Sequence, residues 1–318
     1  MCHLIYTDTF YMKRKWIRWV SWILLTPIIL FVILMVLLYV PPVQNLLRRE
    51  VTAYASKATG MQIQVERIDL RFPLNLLVRG VEVIQQPDTL LSLESLNVRV
   101  QAWPLIKGKV EVDEVTLSRV AVNSADLMEG MKIKGVLGRF FLQSHGVDLS
   151  NELAVINQVE LSDTHVQLLM NDTTTTPKDT TASAPINWKV ALHQLKLKNV
   201  SFSMQLPADS MRMAAHIGEA AIDDAQADLK NQYYDLKKFL LSGTSASYDT
   251  GTAQPAEGFD ASHIAVRDIR IALDSLLYKG RDMNAVIREF TMNERSGLSV
   301  TSLTGRAYSN DSVICVPG

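Results

Sequence analysis

Cysteine is almost absent from this sequence. The 318 residues include only Cys2 and Cys315, which stand at opposite ends of the chain. Two such distant cysteines exclude a fold stapled by several disulfides, and they exclude a zinc site closed by cysteines alone. Apolar residues make up 47% of the chain and charged residues 20%, a composition that excludes wholesale disorder.

An excess of positive charge is also missing. The chain carries 32 lysines and arginines against 33 aspartates and glutamates, for a formal net charge of −1. Proteins that bind nucleic acid by releasing its counterions carry clustered positive charge on the binding domain. Four of the basic residues lie within the first 18 positions, so the remainder is mildly acidic. We therefore expect no nucleic-acid partner.

Motifs for catalysis and for metal binding are absent as well. The sequence contains no phosphate-binding loop, no GxSxG elbow and no HExxH motif. Its six histidines stand singly, and none has a second histidine three or four positions further on. A lone histidine in a strand or on a surface is more often an ordinary residue than a ligand. The sequence therefore predicts no enzyme, no cofactor and no metal site.

One long uncharged run is present, from residue 19 to residue 40. Its 22 residues would form a helix of roughly 33 Å, enough to cross a hydrocarbon core of ~30 Å. A cleaved signal peptide would have a shorter apolar region and a small-residue cleavage site, whereas this run ends at Tyr39, Val40 and two prolines. We interpret the run as an uncleaved transmembrane helix.

Basic and aromatic residues flank this run and orient it. The expected membrane anchor consists of the flanking residues Lys13, Arg14, Lys15, Arg18, Trp19, Trp22 and Tyr39. The basic cluster on the N-terminal side places residues 1–18 in the cytoplasm, and the body of the chain then lies across the membrane.

Apolar residues from Val43 to Ala58 follow helical spacing, and Gly60 supplies a stop, which predicts an amphipathic helix over 41–60. Beyond it a different pattern recurs, with apolar residues at i, i+2, i+5 and i+7, as at Ile63, Val65, Ile68 and Leu70. These positions form no helical face. They fit a strand with a β-bulge, in which one extra residue restores the apolar face after the slip.

The slip pattern predicts strands with one apolar and one polar face. On the strand over 188–204, Lys196, Lys198 and Ser201 are expected to point away from the apolar side. The residues assigned to the apolar floor are Val110, Val112, Val115, Leu117, Val120, Val122, Leu195, Leu197, Val200, Phe202 and Met204. The pattern alone favours two sheets closed as a sandwich, and the alternative is one open trough whose floor holds something apolar.

The rest of the chain fits one continuous sheet over 61–318. Polar loops are expected at about 170–186 and 248–262, where threonine, proline and glycine are frequent. The composition of 214–238 suits a helix, but we favour strands there. The chain ends within an apolar segment at Val313, Ile314 and Val316. We interpret the chain as part of a longer protein.

Several segments together resemble the TamB family, translocation and assembly module subunits of the AsmA-like superfamily. The first are PPVQNLLRREVTAYASKATGMQIQVERIDLRFP, directly after the predicted span, and LLSLESLNVRVQAWPLIKGKVEVDEVTLSRVAV. INWKVALHQLKLKNVSFSMQLP at 186–207 and FTMNERSGLSVTSLTG at 290–305 look like the branch of this family found in the Bacteroidetes.

This resemblance implies a single-pass bacterial inner-membrane protein, with residues 1–18 cytoplasmic, a transmembrane helix at 19–40, and a periplasmic body. The implied fold is mainly β, an elongated coiled β-sheet trough of the AsmA-like or β-taco kind. Its implied partners are phospholipids, the inner membrane and an Omp85-type outer-membrane barrel, reached through regions absent from this chain.

Three functions follow as hypotheses. The first is a lipid conduit, in which acyl chains lie on the apolar floor and no catalytic chemistry is needed. The second is a scaffold for outer-membrane protein assembly or protein secretion, in which an open sheet edge receives a client strand by β-augmentation. The third is an anchored enzyme, for which the sequence offers no positive feature.

Overall fold

The computed structural model describes residues 40–71, 74–101, 103–104, 111–124, 130–148, 151–170, 187–310 and 314–315. The transmembrane helix and membrane anchor expected near the N-terminus therefore lie outside the described residues, apart from Val40 at the end of the predicted span. Within the described residues, no helix combines the length and apolar character needed to cross a membrane.

One open β-sheet makes up most of the described chain. Its strands are β1 (Gln62–Arg71), β2 (Asn75–Gln85), β3 (Asp88–Val100), β4 (Val112–Asn123), β5 (Met131–Asp148), β6 (Leu153–Met170), β7 (Lys189–Leu206), β8 (Met211–Asp228), β9 (Tyr233–Asp249), β10 (His263–Lys279), β11 (Asp282–Glu294), β12 (Ser299–Ser309) and β13 (Ile314–Cys315). Their order in the sheet is their order in the chain. Neighbours are antiparallel except β6 and β7, which are parallel.

In the described part of the chain, an α-helix, α1 (Pro41–Thr59), precedes the sheet. Gly60 ends it in the left-handed conformation and donates its backbone N–H to the Ser56 carbonyl, as expected for a glycine stop. The helix packs along β1 through polar side chains such as Gln44 and Arg48 rather than through its apolar stripe. Leu46 and Tyr54 of that stripe are exposed.

Each strand places its apolar residues at the same heights as those of its neighbours. One row crosses twelve strands and contains Ile68, Val78, Leu96, Leu117, Phe140, Leu161, Leu197, Ala220, Leu241, Ile271, Phe290 and Leu303. Directly paired residues share a face of the sheet. This row and the parallel rows through Leu195, Val200 and Phe202 form one surface, which we call the apolar face.

In five strands the slips between apolar pairs lie at the same height in the sheet. The slip between the Leu197 row and the Val200 row contains residues with positive φ, namely Gly80, Arg119, Asp163, Asn199 and Gly243. This left-handed region is accessible to glycine and is visited more often by asparagine and aspartate than by other side chains. The aligned slips explain how β2, β4, β6, β7 and β9 return their apolar residues to the same face. In β10 the corresponding residue with positive φ, Asp268, lies one row away, between Val266 and Ile269.

The sandwich favoured by the pattern alone is wrong. The described strands form a single layer, and extensive contacts between elements are confined to neighbouring strands and to α1 against β1. The fully closed core of a sandwich is correspondingly missing, because none of the large side chains described is completely buried. The described fold is mainly β, and its sheet is one open layer, as the alternative to the sandwich required.

Two further expectations concern the connections. Residues 214–238, whose composition suits a helix, form parts of β8 and β9, so the choice of strands is confirmed. The second predicted loop falls between Asp249 and His263, close to its expected bounds. Nearly all of the first, residues 171–186, lies outside the described residues.

Two glycines of the aligned bulges provide a stability test. Gly80 and Gly243 both have φ of 59°, but a Cβ at Gly80 would lie 2.6 Å from Cβ of Glu66, whereas the nearest atom at Gly243 is 3.6 Å away. We expect Gly243→Ala to lower the free energy of unfolding by about 1–2 kcal/mol, because the left-handed conformation disfavours L-residues. Gly80→Ala should lower the free energy of unfolding by more, because its Cβ would also collide with Glu66. Urea unfolding followed by circular dichroism measures both, and an equal or smaller loss at Gly80 would contradict the close packing of β1 and β2.

Candidate functional site

The apolar face contains the floor residues expected from the sequence that the structure describes. On β7, Leu195, Leu197, Val200, Phe202 and Met204 pair with residues of β6 and β8 at matching heights. On β4, Val112, Val115, Leu117, Val120 and Val122 do the same against β3. Both sets share the rows that cross the sheet, so the two segments contribute to one surface. Val110 lies outside the described residues.

The opposite face of β7 is polar, as its sequence indicates. Lys196 pairs with Glu160 of β6, and Lys198 pairs with Glu219 of β8. Ser201 lies between His165 and His216 on the same face. Lysine and glutamate side chains on neighbouring strands favour solvent on this side of the sheet. The two faces therefore differ sharply in chemistry along the same strands.

Large side chains of the apolar face remain accessible. Phe202 is 41% exposed and Val122 is 40% exposed. Both side chains belong to one row of the apolar face. Other members are shielded, with Ile68 at 6% and Leu93 at 8%. Contiguous apolar surface of this kind usually marks a site that binds a partner or an apolar ligand. This face is the candidate functional site.

Most of this face was not assigned from the sequence. The described floor residues named there belong to β4 and β7, whereas the rows also run through the other ten strands from β1 to β12. The identities of the slip residues were a usable signal. Gly80, Asp163, Asn199 and Gly243 are residue types suited to a positive φ, and each follows an apolar pair at the expected distance.

The carboxylates whose pKa values are shifted accept hydrogen bonds at turns between strands. Hydrogen bonds from Asn231 lower the pKa of Asp228, and hydrogen bonds from Ser296 lower that of Glu294. Backbone N–H groups of Ala256 and Ser262, together with His263, lower the pKa of Asp260 to about 2. Because each shift favours the ionised form that accepts these bonds, these groups stabilise turns. The described residues contain no group of three or more side chains arranged to hold a metal ion.

The two edges of the sheet differ. At β1, Gln44 of α1 donates to the Leu70 carbonyl and Arg48 donates to those of Val65 and Glu66. The Ser56 hydroxyl oxygen accepts the backbone N–H of Ile63, so α1 occupies four backbone groups of this edge strand. At the other edge, the described part of β13 pairs only with Tyr308 and Ser309 of β12.

No protein-family model matches the chain, and no curated protein is significantly similar to it.

Proposed function

We propose that this protein is an inner-membrane-anchored conduit that carries phospholipids along the apolar face of its sheet. The observation that carries the proposal is the uninterrupted apolar row through Leu197, which crosses the sheet from β1 to β12. No second layer covers this row in the part of the chain that the structure describes. A row perpendicular to the strands offers acyl chains a path along the long dimension of the sheet, while headgroups stay in water at its margins.

The sheet is proposed to coil into a trough with the apolar face inside. Each bulge increases the local twist and bends its strand, and here the bulges are aligned across neighbouring strands, so their effects add in one direction. The low exposure of Ile68 and Leu93 supports the same curvature, because side chains on a concave face crowd against their neighbours.

Membrane attachment and the periplasmic location complete the proposal. They rest on the uncharged run at 19–40, on the basic residues before it, and on the resemblance to the TamB family. In such an arrangement the sheet extends from the inner membrane toward the outer membrane, within a translocation and assembly module. The proposed function is binding and transport, without catalysis.

A matched pair of substitutions tests the conduit. Phe202 and Leu240 are 41% and 39% exposed, but Phe202 lies on the apolar face and Leu240 lies on the opposite face, between Phe239 and Leu241. Both sites can hold an aspartate in contact with water, so both variants should fold. We expect Phe202→Asp to reduce co-purifying phospholipid severalfold, because acyl chains would have to pass a charge, and Leu240→Asp to leave it unchanged.

Quantitative mass spectrometry of lipids bound to the purified protein makes this comparison, with circular dichroism as the check on folding. Equal lipid content in the two folded variants would contradict the conduit. A folded Phe202→Asp variant with normal lipid but defective outer-membrane protein assembly would favour the scaffold described next.

The second candidate function is a scaffold for protein assembly or secretion by β-augmentation, with an Omp85-type barrel as the expected partner. The difference between the two sheet edges favours it. Polar side chains of α1 occupy the edge of β1, whereas residues 299–307 of β12 have no strand on their outer side in the described part of the chain. An incoming strand would continue the apolar rows from Val300 and Leu303.

Lysines on this edge test the scaffold. Thr301→Lys with Thr304→Lys should hinder strand addition, because natural edge strands use lysine to prevent pairing. We expect outer-membrane protein assembly in cells to fall while co-purifying lipid stays normal. Gln62→Lys on the covered β1 edge is the control and should change neither quantity. Normal assembly with both lysines on β12 would exclude this edge as the functional one.

A further inference from the structure

A groove of about 520 Å³ lies over β7 to β10, and most of the residues that line it belong to the polar side of the sheet. Phe202, Ala215, Ala246 and Val266 of the apolar face alternate with them along the strands and also line it. Its base comes from two paired rows of β7 to β10. One contains Ser201, His216 and Ser245, and the other contains Ser203, Ala214, Ser247 and Ala265. Serine and alanine occupy most of these positions, and their small side chains leave the space that forms the groove.

The cationic residues of this groove are two arginines. Arg267 and Arg295 both line it, together with His165 and His216. The Arg295 guanidinium donates from Nη2 to the His263 carbonyl at 2.9 Å, which holds it in place. The side chain of Arg267 is 80% exposed, and its Nε lies 4.0 Å from the nearest carboxylate oxygen, on Asp268, beyond hydrogen-bond distance.

Beside the arginines, the polar side chains that line the groove are serines and histidines, which can donate hydrogen bonds to an anion. No aspartate or glutamate is among the residues that line the groove. The Ser201 hydroxyl and Nδ1 of His216 are hydrogen-bonded at 3.0 Å, which fixes the imidazole at the groove with Nε2 as its second nitrogen. Hydroxyl groups of Ser203, Ser245 and Ser247 lie in the same space.

We propose that this groove binds a phosphate group, either of a soluble phosphate ester or of a phospholipid headgroup. Guanidinium groups recognise phosphate through paired, charge-assisted hydrogen bonds, and serine hydroxyls donate to the remaining oxygens. The volume is within the range of small-molecule sites and exceeds what one phosphate needs, so the group can carry an organic substituent. The groove's arginine, histidine and serine residues lie outside the apolar rows proposed as the acyl-chain path, so binding of a phosphate group there does not require lipid transport.

Calorimetric titration of the full chain with inorganic phosphate, glycerol 3-phosphate and vesicles containing phosphatidic acid tests the proposal. We expect saturable binding of glycerol 3-phosphate. Arg267→Gln should weaken it by about tenfold, because one charge-assisted bond to the anion is lost. Ser247→Phe, which fills the groove and keeps every charge, should abolish it.

Arg288→Gln is the matched control, since it removes the same charge from an exposed arginine that pairs with Asp274 outside the groove. It should leave binding unchanged. Tighter binding of vesicles than of glycerol 3-phosphate would identify the headgroup as the source of the phosphate, and the reverse would identify a soluble ester. Absence of saturable binding to any of the three probes, or equal weakening by Arg288→Gln and Arg267→Gln, would overturn the proposal.

Discussion

The alignment of β-bulges across neighbouring strands is the constraint on which the rest of this structure depends. Side chains alternate between the faces of a sheet with a period of two, so a strand that skipped its bulge would turn half of its apolar residues toward the polar side. In this sheet the slips of β2, β4, β6, β7 and β9 fall at one height, as the positive φ values of Gly80, Arg119, Asp163, Asn199 and Gly243 record. The register of each strand therefore fixes that of the next, and the apolar rows continue.

Hydrogen bonds between strands and contacts within the rows then stabilise a single layer, without the closed core of a globular domain. A buried leucine or phenylalanine side chain contributes about 1.5–3 kcal/mol through removal from water. A side chain such as Phe202, 41% exposed, forgoes on the order of 1 kcal/mol of that stabilisation. An acyl chain lying on the face would recover part of this free energy at many positions. This gain in free energy is distributed along the rows. The apolar face therefore suits a ligand that moves along it, whereas one fixed pocket would hold the ligand in place.

Sequence reasoning predicted strands with one apolar and one polar face, the slips within them, and which residues of β7 lie on each face. It could do so because alternation with one extra residue is a local pattern within each strand. The placement of Leu197 on the apolar face and of Lys198 on the polar face followed directly from it. The same reasoning could not separate a sandwich from one open layer, because both bury the same alternating residues and differ only in long-range pairing. It also assigned the apolar stripe of α1 without foreseeing that Gln44 and Arg48 would pack on β1, since the unpaired carbonyls of an edge strand leave no mark in the sequence. The groove with Arg267 was missed for a similar reason, because its base joins residues from four strands.

The central claim, that acyl chains lie on the apolar face, is tested most directly by a photo-crosslinking side chain introduced at one position at a time and irradiated in living cells. Leu197 and Phe202 lie on this face, and Lys198 lies on the other face of the same strand. The account predicts phospholipid adducts at positions 197 and 202 and none at 198. Adducts at all three positions, or only at 198, would contradict it.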